Sequence, residues 1–114
     1  ASEPYRVVLT ADRTVISPDG KDLCYLTAEI VDKDGNLCPI ADNEIVFEVK
    51  GAGRNVGVDN GSPISLERFK SDKRRAFNGK ALLIVQSNGE KGKINISAKS
   101  ANLKSANETI NAKL

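Results

Sequence analysis

Apolar and polar residues alternate with a period of two along several separate stretches of the chain. Leu26, Ala28 and Ile30 alternate with Tyr25, Thr27, Glu29 and Val31. Ile45, Phe47 and Val49 alternate with Glu44, Val46, Glu48 and Lys50, and Ile94, Ile96 and Ala98 with Lys93, Asn95, Ser97 and Lys99. That period turns one set of side chains to a core and the other to water, as in a half-buried β-strand. Between the stretches stand Pro18-Asp19-Gly20, Asp34-Gly35-Asn36, Gly51-Ala52-Gly53, Asn60-Gly61-Ser62-Pro63, Asn78-Gly79 and Asn88-Gly89. Gly and Asn tolerate the positive φ of tight turns, so these clusters predict reversals of the chain.

The strands predicted run from Arg6 to Asp12, Leu23 to Lys33, Glu44 to Lys50, Asn55 to Val58, Lys80 to Ser87, Lys93 to Ser100 and Ser105 to Lys113. No stretch offers a helical stripe with capping signals at both ends. About seven short strands with turns between them predict an all-β fold, an immunoglobulin-like β-sandwich. Its inward residues should be Leu26, Ala28, Ile30, Ile45, Phe47, Val49, Ile94, Ile96 and Ala98, with Tyr25 outward. The interval from Gly61 to Asn78 is the exception, long and with only Ile64, Leu66 and Phe69 as anchors. It is expected to hold an edge strand or a short helical turn.

Composition narrows the chemistry. The chain has 114 residues, 39% apolar and 28% charged, as expected of one globular domain. Its net charge of +2 is too small to mark a nucleic-acid or membrane surface. The longest apolar run, Ala81 to Val85, is too short to span a bilayer. There is no His, so the commonest general base and transition-metal ligand are missing, and no cofactor or metal is expected. With no Trp and only two Tyr and three Phe, a stacking platform for sugars or bases has little to draw on. The chain also lacks Met and shows no signal segment, which reads as a piece of a larger protein.

Five groups of residues carry candidate chemistry. Cys24 falls on the inward phase of its strand, and Cys38 follows the Asp34-Gly35-Asn36 turn. A hairpin there leaves a disulfide open if the Cα atoms come within about 7 Å. The favoured reading is two buried thiols acting as small hydrophobes. Asp32-Lys33-Asp34-Gly35-Asn36 resembles the start of a calcium loop, but position twelve is Asn43 and the flanks read as strands, so a hairpin turn is preferred. Glu67, Asp72 and Asp59 invite comparison with the paired carboxylates of glycoside hydrolysis, which need a rigid cleft and a spacing of roughly 5 to 10 Å. A domain of this size has little room for one, and catalysis within the chain is not expected. Lys70, Lys73, Arg74 and Arg75 with Lys80 read most simply as a solvated face, and otherwise as a docking surface. Asn60, Asn95 and Asn107 begin glycosylation tripeptides, which matter only in a eukaryotic secretory route.

Leu9-Thr10-Ala11-Asp12-Arg13, then Asp19-Gly20-Lys21-Asp22-Leu23 and Leu26 through Asn36, resemble the opening of bacterial immunoglobulin-like domains, invasin-type adhesin repeats among them. Gly57-Val58-Asp59-Asn60-Gly61, Phe69-Lys70-Ser71-Asp72 and Arg75-Ala76-Phe77-Asn78-Gly79-Lys80 with Val85-Gln86 separate the two. This insert resembles the C-terminal immunoglobulin-like domain of bacterial glycoside hydrolase family 2 enzymes of the β-galactosidase type. The resemblance covers about Val7 to Ile110. It implies that residues 1–114 are a single non-catalytic module of a larger enzyme, whose catalytic acids lie in a separate barrel. The implied partners are the other domains of that hydrolase, with carbohydrate as a further candidate, and the implied location is periplasmic or secreted. The Cys pair departs from the family pattern.

The resemblance assigns no ligand to the insert. Asp59, Asn60, Arg75 and Asn78 are carried as its polar residues, candidates for shaping it or for contacting the parent enzyme. Asp59-Asn60-Gly61 should turn the chain, Asn78-Gly79 should return it to the strand near Lys80, and Phe69 or Phe77 should pin it to the sandwich. Arg74 and Arg75 would face Asp59, Asp72 or a neighbouring domain. The competing function is an independent carbohydrate-binding or adhesin-type module.

Overall fold

The alternating stretches become the strands of two facing sheets in a computed structural model of the chain, which describes residues 3–59 and 73–114. Nine strands occur among the described residues: β1 (Arg6–Ala11), β2 (Val15–Ile16), β3 (Leu23–Val31), β4 (Glu44–Gly51), β5 (Gly53–Asp59), β6 (Lys73–Arg75), β7 (Lys80–Ser87), β8 (Gly92–Lys99) and β9 (Ala106–Ala112). One sheet has the order β1-β3-β7-β5 and the other β2-β9-β8-β4-β6. All neighbours pair antiparallel except β2 and β9, which run parallel. Along the chain the strands alternate between the two sheets at every connection except that from β8 to β9, which stays within the five-stranded sheet.

The seven strands read from the sequence are present, and the fold is an all-β sandwich. Two were not foreseen as defined strands. β2 is two residues long, too short for any period to show, and β6 is the edge strand that the interval after Gly61 was expected to hold. β5 begins at Gly53 rather than Asn55 and carries a bulge between Asn55 and Gly57, where the Gly57 amide donates to Asn55 Oδ1 at 2.9 Å.

The core follows the predicted phase. Leu26, Ala28, Ile30, Ile45, Phe47, Ile94, Ile96 and Ala98 are all buried, joined by Leu83, Val85, Val58 and Ile110. Each fully buried Ile or Leu contributes about 1.5 to 3 kcal/mol of transfer free energy before entropy is set against it. Val49 is only partly buried, because it lies where β4 runs out toward its turn. Register is tightly held: Phe47 sits opposite Ala98, and Leu26 opposite Leu83, so a slip of one residue would turn these side chains to water.

Asp34-Gly35-Asn36 forms the predicted hairpin turn. Asp32, buried, accepts the amides of Asp34 and Asn36 on Oδ1, both at 2.9 Å, and Val31 pairs with Leu37 across the turn. Among the described residues no group of three or more His, Cys, Asp or Glu could hold a metal ion.

Candidate functional site

The described strands on either side of the insert, β5 and β6, lie at one edge of the sandwich. There β5, an edge of the four-stranded sheet, lies across from β6, an edge of the five-stranded sheet. Period two along Lys73-Arg74-Arg75 turns the middle residue inward. Arg74 is accordingly buried, 3% exposed, and its Nη2 donates to the Val58 carbonyl oxygen at 3.0 Å. The solvated face expected for this basic run is corrected at Arg74, which instead bridges the two sheets. Lys73, Arg75 and Lys80 are exposed as expected.

Arg75 points outward from β6. Its Nη2 lies 3.7 Å from Asp42 Oδ2, and its Nε donates to the Asp42 carbonyl at 3.4 Å. Among the described residues the acid beside Arg75 is therefore Asp42, on the loop before β4. The expected partners of this arginine were Asp59 and Asp72 or a neighbouring domain. Asn60, Phe69, Asp72 and Glu67 lie outside the described residues, as does the Asp59 side chain.

Asn78 and Gly79 have φ of 54° and 79°, and the Phe77 and Lys80 amides each donate to the other's carbonyl, at 2.9 and 3.1 Å. This is the tight return expected before Lys80. The turn is also a junction: the Gly79 amide donates to the Ala41 carbonyl at 3.0 Å, and the Gly79 carbonyl accepts from the Ile30 amide at 2.8 Å. A Cβ at Gly79 would run into the Cys38 carbonyl, so both the φ and the close approach require glycine. Asn78 thus shapes the backbone. Phe77 is 38% exposed. Beside this junction the loop from Cys38 to Asn43 bounds, with Glu3 and Pro4, a surface hollow of about 530 Å³, on which Ile40 is exposed.

The cysteines are far apart. Cys24 pairs with Val85 on β7, whereas the Cys38 amide donates to the Ile30 carbonyl six residues further along β3, a separation of roughly 20 Å at the rise of a strand. Both are buried, and no disulfide joins them. The Cys24 thiol donates weakly to Asp12 Oδ1 at 3.4 Å and to the Arg13 carbonyl at 3.3 Å, and burial pushes its pKa up to about 11. A protonated, enclosed thiol is a poor nucleophile.

The described carboxylates that show a shift are drawn downward. Arg13 Nη1 and Nη2 grip Asp22 at 2.7 and 2.9 Å, the Ser17 amide adds a bond at 2.8 Å, and these hold the Asp22 carboxyl well below its usual range. The amides of Lys21 and Asp22 lower Asp19, and Lys50 lowers Glu48. Sequence reading missed the Arg13–Asp22 clamp, although opposite charges either side of the Pro18-Asp19-Gly20 turn were available as a signal.

Comparison with known proteins places this architecture. The chain matches Glycoside hydrolase family 2 C-terminal domain 5 over residues 7–109. It is 50% identical over 106 residues to Beta-galactosidase BoGH2A of Bacteroides ovatus, which covers 93% of this chain and 12% of that protein. It superposes with a TM-score of 0.96 and 37% identity on a glycosyl hydrolase family 2 member from Bacteroides cellulosilyticus, over 100% of this chain and 15% of that one. A β-glycosidase from Bacteroides vulgatus gives 0.95 and 31%, over 98% of this chain and 14% of that one. The chain thus spans only a small part of these relatives. The family match runs from β1 into β9, across both sheets and the insert between them, and the chain belongs to the C-terminal domain 5 family of glycoside hydrolase family 2.

Proposed function

We propose that this chain is a non-catalytic accessory domain of a longer β-galactosidase-like hydrolase, where it docks against the other domains and orients or shields the catalytic part. The observation that carries the reading is the coverage: half of the aligned residues are identical to a β-galactosidase, yet they make up 12% of that protein. The carboxylates add support. A general acid for glycosidic cleavage needs a raised pKa, and Asp19, Asp22 and Glu48 are shifted the other way. The proposed substrate of the parent is a terminal β-galactoside, and its proposed location is periplasmic or secreted. No helix among the described residues is long and apolar enough to cross a membrane. Of the insert's polar residues, Arg75 is the proposed interdomain contact, while Asn78 shapes the turn that presents it.

The arrangement of exposed aromatics favours docking over independent sugar binding. The Tyr5 amide donates to the Val31 carbonyl, six residues along β3 from Tyr25, so the backbones of these two residues stand roughly 20 Å apart. Arg6 and Lys104 already lie over the Tyr5 ring, at 5.1 and 5.3 Å from its centre. Sugars are usually gripped by grouped aromatic faces. Titration calorimetry of the chain against galactosides and plant polysaccharides tests the choice. No saturable heat is expected, and clear saturation would favour the carbohydrate-binding module.

A further inference from the structure

The two outer faces of the sandwich differ in kind. On the five-stranded sheet the outward residues of β8 are Lys93, Asn95, Ser97 and Lys99, opposite Glu48, Lys50 and the exposed Val46 of β4, so that this face is polar but for a single valine on these two strands. On the four-stranded sheet β7 is apolar on both sides. Ala81, Leu83 and Val85 enter the core, while Leu82 and Ile84 face out, only half-buried. Register sets Ile84 beside Tyr25 and Leu82 beside Thr27, and Tyr25 is 41% exposed. A strand apolar on both faces is the pattern of a sheet covered on both faces.

The borders of this patch are polar. At one end Arg54 Nη2 donates to Gln86 Oε1 at 2.8 Å, and at the other Lys80 Nζ lies 3.8 Å from Glu29 Oε2. An apolar centre within a polar rim is the anatomy of a protein interface. Across four strands and a few residues of each, the face measures about 300 Å² at ordinary strand spacing. That is well short of the roughly 800 Å² per partner that two separate proteins usually need. A partner on the same polypeptide needs less, because the tether holds it at about millimolar effective concentration. The relatives supply such a partner: 85% or more of each lies outside the region this chain matches.

Resting on the accessory-domain reading, we infer that the outer face of the β1-β3-β7-β5 sheet, centred on Tyr25, Leu82 and Ile84, packs against an apolar surface of an adjoining domain of the same longer polypeptide.

Thiol labelling tests this, since Cys24 and Cys38 are buried and the unsubstituted protein supplies the background. Tyr25→Cys on the docking face and Asn95→Cys on the opposite face are each placed in the longer protein and in the chain alone, then treated with a maleimide. Val8→Cys, on the same face as Tyr25 and 36% exposed, serves if Tyr25→Cys fails to fold. The docking face should label about tenfold or more slowly in the longer protein than in the chain alone, and Asn95→Cys equally fast in both. Protection of Asn95→Cys instead would keep the docking reading and overturn this face. Protection of neither would overturn both. Protection of Tyr25→Cys in the chain alone would also overturn the inference. If concentration-dependent, it would point to a second copy as the occupant; otherwise it would point to the chain's own residues 60–72.

Discussion

Arg74 Nη2 donates to the Val58 carbonyl oxygen at 3.0 Å, so a single buried guanidinium ties the edge of one sheet to the edge of the other. Edge strands carry backbone groups that the ladder does not use, and covering one with a side chain from the facing sheet closes the sandwich at that end. Arg75, one residue on, faces solvent with Asp42 at its side.

Neighbouring substitutions should therefore differ. Arg74→Met leaves the Val58 carbonyl without its donor and should cost about 1 to 3 kcal/mol. Arg75→Ala removes an exposed pair and should stay within about 0.5 kcal/mol in the chain alone. Urea unfolding of the two variants checks this, and equal losses would mean that the edge is held differently.

The turn at Asn78-Gly79 separates backbone need from side-chain need. Gly79→Ala should destabilise by about 1 to 2 kcal/mol from the left-handed backbone alone, with further loss from the clash at the Cys38 carbonyl. Asn78→Gly keeps the φ and should be close to neutral. Thermal melts that reverse this order would make Asn78 a side-chain site.

Acid should expose the Arg13–Asp22 clamp. The folded pKa of Asp22 lies below its ordinary 3.8, so the stabilisation is complete above that value and fades as pH falls through the folded pKa. Asp22→Asn should melt below the unsubstituted chain at pH 7, and the gap should narrow on acidification below about pH 4. A gap constant from pH 7 to pH 2 would remove the ion pair from the account.

Both native thiols should resist alkylation at pH 7.5 in the folded chain and react fully in denaturant. Cys24 is held protonated by burial, and Cys38 is 3% exposed. Mild oxidation should leave the mass of the folded chain unchanged. A loss of two hydrogens, with neither thiol then reacting in denaturant, would show a disulfide that the register of β3 forbids.

Long strands were legible because alternation needs only burial of one face to appear, as along Leu26-Ala28-Ile30 and Ile94-Ile96-Ala98. β2 was not, because Val15–Ile16 has no room for a period. Arg74 was misread for a related reason: three residues of charge look solvated until their pairing with β4 fixes which one points inward. The run Ala81 to Val85 was visible as apolar, but its meaning depends on which neighbours flank β7. The Asn78-Gly79 turn was legible from residue type alone, whereas the contact of Gly79 with the loop at Cys38 was not.

The most direct test of the accessory role is turnover of a chromogenic β-galactoside by the purified chain, beside the longer protein and a heat-inactivated control. The account predicts hydrolysis by the longer protein and none above control by the chain. Saturable, heat-labile hydrolysis by the chain alone would contradict it.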